Sequence, residues 1–439
     1  VTGAAMYPAI NFQTDSLAYS LFEDGQFKIA LLDANLSVPK ETAEYKNYHQ
    51  PELSYSPSDL DKFDSKVYED QFSRIFLMPY VMLDYGKIKL GSVLYQSEIL
   101  NRFNLTASGA VNSIMDMDLY ARLDYNKLLS SLYLEAFYVT YHLATKEAIW
   151  FGLYPEENTY DFSLWEVNLG SNYRFHIHNF DFNIAHAEYT SGVEVKTTIP
   201  PIMIYGYSFT YYKGTRYQFS YSSDLIGIDW RSNISPRRGF SYDLKLAYDN
   251  NQFISNLEIN PEFGTLAEIY DDQSTYRVDL EAAAYVPIPK TKSSALGFEL
   301  TTGYLANTKV DSFFHYFAGG MPGLKGYPFY TIEGTRLAVL TSRLRFPIID
   351  KMEMNLHPIF FDKVYLSLYH QIGDAWRGGI DKINFKQNVG FELRFGGYSW
   401  YAYPLALSLD AVYALDEFKS YDKWVGKNWR YYVTLLFEF

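Results

Sequence analysis

Apolar and polar residues alternate along most of this chain with a period of two. In the last segment Tyr431, Val433, Leu435, Phe437 and Phe439 share one face, and Arg430, Tyr432, Thr434 and Glu438 the other. Tyr276, Val278, Leu280, Ala282, Ala284 and Val286 likewise oppose Arg277, Asp279 and Glu281. The same pattern runs through Met117–Tyr125, Phe240–Tyr248 and Val389–Phe395. A period of two is the mark of a strand with two unlike faces. These runs extend to about ten residues, the length of a tilted membrane strand, where soluble strands average about 5–6. The polar faces carry full charges of both signs, which suits a wet lumen. An open sheet edge would strand backbone groups in lipid, so such strands must close on themselves.

The expected fold is therefore all-β: a transmembrane antiparallel β-barrel of about sixteen strands. Strands are expected near 88–97, 102–111, 116–126, 130–142, 164–176, 181–190, 203–213, 217–231, 239–249, 275–287, 295–305, 335–346, 363–373, 386–395, 404–414 and 430–438. The stretch 180–213 is interrupted by Pro200-Pro201, and Asp249-Asn250-Asn251 reads as a short periplasmic turn. The connection 306–334 is long, as an extracellular or lumen-filling loop would be. The domain reading is 1–35 as a β-hairpin, 36–72 as a linker or plug segment, and 73–439 as the barrel. Within 36–72, Pro39, Pro51 and Pro57 fall among polar residues. The hairpin carries an Asp24-Gly25 turn between Ala18-Tyr19-Ser20 and Phe27, Ile29 and Leu31.

Composition narrows the function classes. Tyr 42, Phe 32 and Trp 7 supply the rings that barrels place at membrane interfaces. A net charge of −13 argues against a nucleic-acid partner. With no cysteine, disulfides and Cys-based metal sites are excluded. The chain opens Val1-Thr2-Gly3, as a mature or a trimmed form would. No Gly-x-Ser-x-Gly elbow occurs, and the run Gly319, Gly320, Gly323, Gly326 lacks the strand-before, helix-after setting of a phosphate cradle. His176, His178 and His186 lack a clear third and fourth ligand partner, so they read as solvated or interfacial rather than as a metal site. Glu156-Glu157 and Asp271-Asp272 read as solvated loop charge, with bridging cations at lipopolysaccharide as the alternative. Neither a cofactor nor an enzymatic activity is expected.

Three stretches carry a family resemblance. "GIDWRSNISPRRGFSYDLKLAY" holds Asp229 and Arg231, then Pro236 and Gly239 in a turn that opens a strand; "FAGGMPGLKGYPFYTIEGTRLAVLTSRLRFPI" is a Gly-rich loop feeding a strand; "LYHQIGDAW" precedes two more alternating runs. In order and spacing they resemble the barrel of the BamA-type outer-membrane assembly and translocation superfamily, the bacterial surface antigen family, over about 88–439. In that family a Val-Arg-Gly-Phe/Tyr tetrad in the sixth extracellular loop folds into the lumen and docks on the wall. The matching residues are Leu324, Lys325, Gly326 and Tyr327, which fall between strands eleven and twelve of the expected sixteen. The presumed wall contact is Gln371 with Gly373. Lys325 replaces the family's arginine and loses its bidentate fork, and Gln371 replaces an aspartate, so a looser and neutral contact is expected. Tyr431, Val433, Leu435, Phe437 and Phe439 resemble the terminal signal for barrel insertion. The segment before the barrel resembles one blade of a TolB-type propeller; a plain hairpin is the other reading.

The resemblance implies an outer-membrane protein of a Gram-negative-type bacterium that inserts or translocates proteins. Its partners would be outer-membrane lipid or lipopolysaccharide, protein clients, and periplasmic or outer-membrane proteins. A weakly paired seam between the first strand, expected at 88–97, and the last would open sideways. The alternatives are a diffusion channel or transport pore, and a structural subunit of an outer-membrane complex.

Overall fold

The computed structural model describes residues 5–11, 16–23, 26–33, 67–84, 87–149, 154–197, 204–226, 235–259, 261, 266–291, 294–399, 403–420 and 422–437. Compact units are formed by 1–70 with 353–355, and by 71–352 with 356–439. The first contains a three-stranded antiparallel sheet of Ala5–Asn11, Ser16–Glu23 and Gln26–Asp33. The strand pair of the expected hairpin is present, with Glu23 opposite Gln26, and a third strand joins it. Residues 36–66 of the expected linker lie outside the described residues, as do Asp24 and Gly25.

The second unit is a closed antiparallel barrel. Among the described residues its long strands, numbered here along the chain, are β1 (Phe76–Asp84), β2 (Lys87–Ser97), β3 (Phe103–Val111), β4 (Met117–Tyr125), β5 (Ser131–Ile149), β6 (Tyr154–Phe175), β7 (His178–Thr197) and β8 (Ile204–Asp224). They continue as β9 (Gly239–Ile259), β10 (Thr275–Pro287), β11 (Ala295–Leu305), β12 (Arg336–Ile349), β13 (Ile359–Trp376), β14 (Lys386–Ser399), β15 (Tyr403–Ala414) and β16 (Trp429–Phe437). Closure brings β16 beside β1.

The strand number agrees with the expected sixteen, but through two compensating differences. Strand β1 precedes the expected first strand. Phe76, Leu77, Met78, Tyr80, Val81 and Met82 make both of its faces apolar around Pro79, so no alternation marks it. The expected strands at 203–213 and 217–231 are instead one strand, β8. The polar run Lys213–Arg216 continues the sheet, with Tyr212 through Asp224 in unbroken register on β9. Asp249-Asn250-Asn251 is likewise no turn but the middle of β9. Asp249 is buried against Arg216 (2.6 Å) and Arg277 (3.4 Å), and Asn251 accepts from the Tyr212 hydroxyl. A cluster of polar residues reads as a turn in sequence, yet here it lines a wet interior. Glu156-Glu157 also belong to a strand, β6, and Asp271-Asp272 end the short strand Leu266–Asp272.

The two faces of the wall differ as the alternation requires. Tyr431, Val433 and Leu435 stand 72%, 74% and 54% exposed, while the intervening Tyr432 and Thr434 are half-buried. Across β4 to β7, Leu123, Leu134, Leu169 and Phe182 are also exposed. The opposite face carries Arg122 on Glu135 (3.2 Å), Tyr133 on Asp181 (3.1 Å) and Arg343 on Glu392. Apolar rings and aliphatic chains outside, with paired charges inside, invert a soluble barrel. Such a surface is stable against hydrocarbon, where each apolar chain avoids about 25 cal/mol per Å² of water contact. This is a membrane-spanning barrel. We expect Leu169→Arg, in the middle of the apolar belt of β6, to cost about 2–4 kcal/mol in urea unfolding from lipid vesicles.

Candidate functional site: the loop docked on the lumen wall

The chain from Ala306 to Thr335 joins β11 to β12 and folds upon itself. Leu324 donates its amide to the Ala318 carbonyl (2.6 Å), Gly320 to Tyr327 (2.8 Å), and Ala318 to Ile332 (2.9 Å). These bonds present Leu324, Lys325, Gly326 and Tyr327 at the tip of the loop. Leu324 and Tyr327 are fully buried with Ala318, Ile332, Val339, Ala375 and Ala414. Gly326 lies against the wall so closely that an added Cβ would stand 2.8 Å from Asn388 Cβ and 3.2 Å from Ala414 Cα. A side chain there would meet neighbouring backbone that cannot yield.

Five consecutive strands hold this tip. Gln371 on β13 accepts from the Lys325 amide (3.0 Å) and donates both to the Gly323 carbonyl (2.9 Å) and to Thr341 on β12 (2.9 Å). Tyr327 donates to the Gln387 carbonyl at β14 (2.9 Å). Burial pushes its phenol up to about 12, so it remains a donor at physiological pH. Tyr432 on β16 donates to the Lys325 carbonyl (2.7 Å). The Lys325 ammonium reaches Asp410 on β15 at 3.0 Å, with Asp410 2% exposed, and lies 5.4 Å from the Tyr369 ring centre. Tyr369 also donates to Asp410 (3.2 Å).

The contact is divided between a neutral bond at Gln371 and a charged one at Asp410. Gln371 reads the loop backbone, which needs both an acceptor and a donor, and the charge of Lys325 is met elsewhere. An aspartate at 371 could accept from the amide but could not donate to Gly323. Asp410 was invisible as a partner in sequence, because it is one of many polar residues on luminal faces. Gly373 sits in the β12–β13 ladder opposite Val339, where an added Cβ would meet Ala338 O at 2.7 Å.

The base of the loop grips the wall on the other side of β11. Phe313 and Phe314 pack among Tyr212 and Phe253 of β8 and β9, and Tyr316 donates to Asp279 of β10 (2.5 Å). His315 joins Glu333 (2.5 Å), which Arg377 also meets at 2.6 Å. Burial would raise the Glu333 carboxyl, but the bonds from His315 and Arg377 hold it below its ordinary value. The loop is thus held at two anchors, its tip on β12 to β16 and its base on β8 to β10.

The other candidate residues lie apart. Gly239 opens β9 at φ +111°, a conformation that favours glycine. The Pro236 carbonyl just before it accepts from the buried guanidinium of Arg345 on β12. Asp229, Arg231 and Phe439 lie outside the described residues. His178 meets Tyr221 (2.9 Å) and His186 meets Thr215 (2.8 Å).

Among solved structures the chain is similar to CdiB from Escherichia coli, at 10% identity and a TM-score of 0.47, covering 84% of this chain and 63% of that one. It is also similar to BamA from Haemophilus ducreyi lacking POTRA domains 1–3, at 13% identity and a TM-score of 0.47, covering 84% and 71%. A copper transporter, OprC, follows at 9% identity and a TM-score of 0.42, covering 74% and 52%. The chain thus spans less than two thirds of the length of CdiB. No family model matches the sequence, and no curated protein matches it.

Proposed function

We propose that this barrel inserts or translocates proteins at the outer membrane of a Gram-negative-type bacterium, among outer-membrane lipid and lipopolysaccharide. The observation that carries this reading is the tip of the loop on β12 to β16. It ties the strands on one side of the closing seam into a single rigid sector through Lys325, Tyr327 and Tyr432. The seam itself joins β16 to β1, not to the strand at 88–97. Each is nine residues long, and β1 contains Pro79, which lacks an amide proton for a ladder. A short closing pair beside a braced sector is where a wall would part to pass a client strand. The unit before the barrel, as the last blade of a TolB-like propeller, would recruit clients or partner proteins. Depletion of the protein should lower the abundance of other outer-membrane and surface proteins. An unchanged outer-membrane proteome, together with large steady conductance in planar bilayers, would instead mark a diffusion channel.

A further inference from the structure

Strands β8 and β9 pair from Asp224 opposite Ser241 up to Tyr212 opposite Phe253, and there the ladder stops. Both strands continue towards the loop-bearing end. Among the described residues, Ile204 to Thr210 pair with β7 on one side only, and Ile254 to Ile259 pair only with the short strand Leu266–Asp272. Among the described residues nothing pairs with β8 between Ile204 and Phe209 on the β9 side. The wall therefore carries a notch flanked by two strand edges.

The direction of the free backbone groups follows from Thr210. Its amide donates to Glu268 (2.8 Å) and its carbonyl accepts from Tyr270 (2.8 Å), both on the far side of the notch, so both groups point away from β7. Register is unbroken from Thr210 opposite Thr190 to Ile204 opposite Lys196. In a strand, alternate residues aim their backbone groups the same way. Ser208 and Gly206, both exposed, therefore direct an amide and a carbonyl each into the notch.

We propose that this notch accepts an extended polypeptide segment as an added strand, with a basic side chain opposite Gly206. Two main-chain donors and two acceptors at a regular spacing are what another main chain complements. The basic side chain follows from the neighbours. Gly206 pairs with Glu194 on β7, and with no side chain on Gly206 an incoming lysine can extend over it towards the exposed carboxylate, two strand spacings or about 10 Å away between backbones. The same surface borders a concavity of about 430 Å³ lined by Asp161, Glu194, Gly206, Tyr207 and Ser208. Glu258 lies on β9 beyond the notch, and Glu268 on the next strand accepts from the Thr210 amide and the Tyr270 hydroxyl; the basic residues of this region are Lys196 on β7 and Lys213 on β8, the latter lying on the Tyr270 ring. A second copy would bring its own Glu194 to the same place, so self-pairing is disfavoured.

The test uses the full chain in lipid nanodiscs and a fluorescent peptide of alternating threonine and lysine, with a threonine–glutamate peptide as counterpart. The lysine peptide should bind, and the glutamate peptide about tenfold more weakly. Ser208→Pro removes one notch-facing amide and no bond to β7. It should lower affinity about tenfold, the equivalent of one good hydrogen bond, while Ser208→Thr retains binding. Glu194→Gln should weaken the lysine peptide about threefold and remove its salt dependence. Heat-modifiable migration in gels verifies that each variant is folded. Equal binding to wild type and folded Ser208→Pro, equal binding of the two peptides, or no binding of either would overturn the proposal. So would a Tyr207→Cys variant that cross-links only to other copies of itself.

Discussion

Asp410→Ala is expected to lower the unfolding free energy of the barrel by about 3–5 kcal/mol, because it leaves the Lys325 ammonium buried without its carboxylate. Lys325 is 14% exposed at its side chain and Asp410 2%, so water can neither screen the pair well nor replace the lost partner. Tyr369 would lose an acceptor at the same time. Urea unfolding followed by gel mobility measures the loss, and trypsin locates it. In the wild type the peptide bond after Lys325 is pressed against the wall and should resist cleavage; in Asp410→Ala the loop should undock and be cut there. Replacing both partners, as Lys325→Met with Asp410→Leu, should recover most of the stability, since a buried pair replaced by apolar groups is often neutral. Failure of the double variant to recover would show that Asp410 acts through Tyr369 rather than through Lys325.

The parts of this architecture that were legible in sequence are those where one face is apolar and the other polar. β4, β9, β10, β14 and β16 declare themselves in this way, and so does the place of the long loop between β11 and β12. β1 was hidden because its luminal face is as apolar as its outer one. β8 was divided in two because Lys213-Gly214-Thr215-Arg216 has the composition of a turn. Its Gly214 instead makes room for Tyr212 and Asn251, and Arg216 pairs with Asp249. The loop contacts were half legible. The positions of Lys325 and Gln371 follow from the motif, but which of them meets which depends on strand register between β13 and β15, and a single sequence does not contain it. The second anchor, Phe313 and Phe314 on β8 and β9, carries no spacing signal at all.

Those two anchors make Tyr327 the residue on which the docking of the loop tip depends. Tyr327→Ala is expected to cost about 3–5 kcal/mol, the range for emptying a fully buried aromatic site. The ring fills the space between Leu324, Ala414 and Phe418, and its hydroxyl ties Gln387 and Asp416 to the loop. With the ring gone, the tip loses its largest apolar contact, and Lys325 alone does not hold it. The base would stay in place on the aromatic cluster of β8 and β9, so the loop should swing from that anchor instead of leaving the lumen. In planar bilayers this predicts frequent openings on a background of brief closures, where the wild type should show only small flickering currents. Tyr327→Phe keeps the ring and gives up only the hydroxyl bonds, a loss of about 1 kcal/mol, and should leave the conductance near that of the wild type. Equal conductance of the alanine variant and the wild type would mean that the base alone closes the lumen, and the bracing of β12 to β16 would then have to be assigned to Gln371 and Asp410.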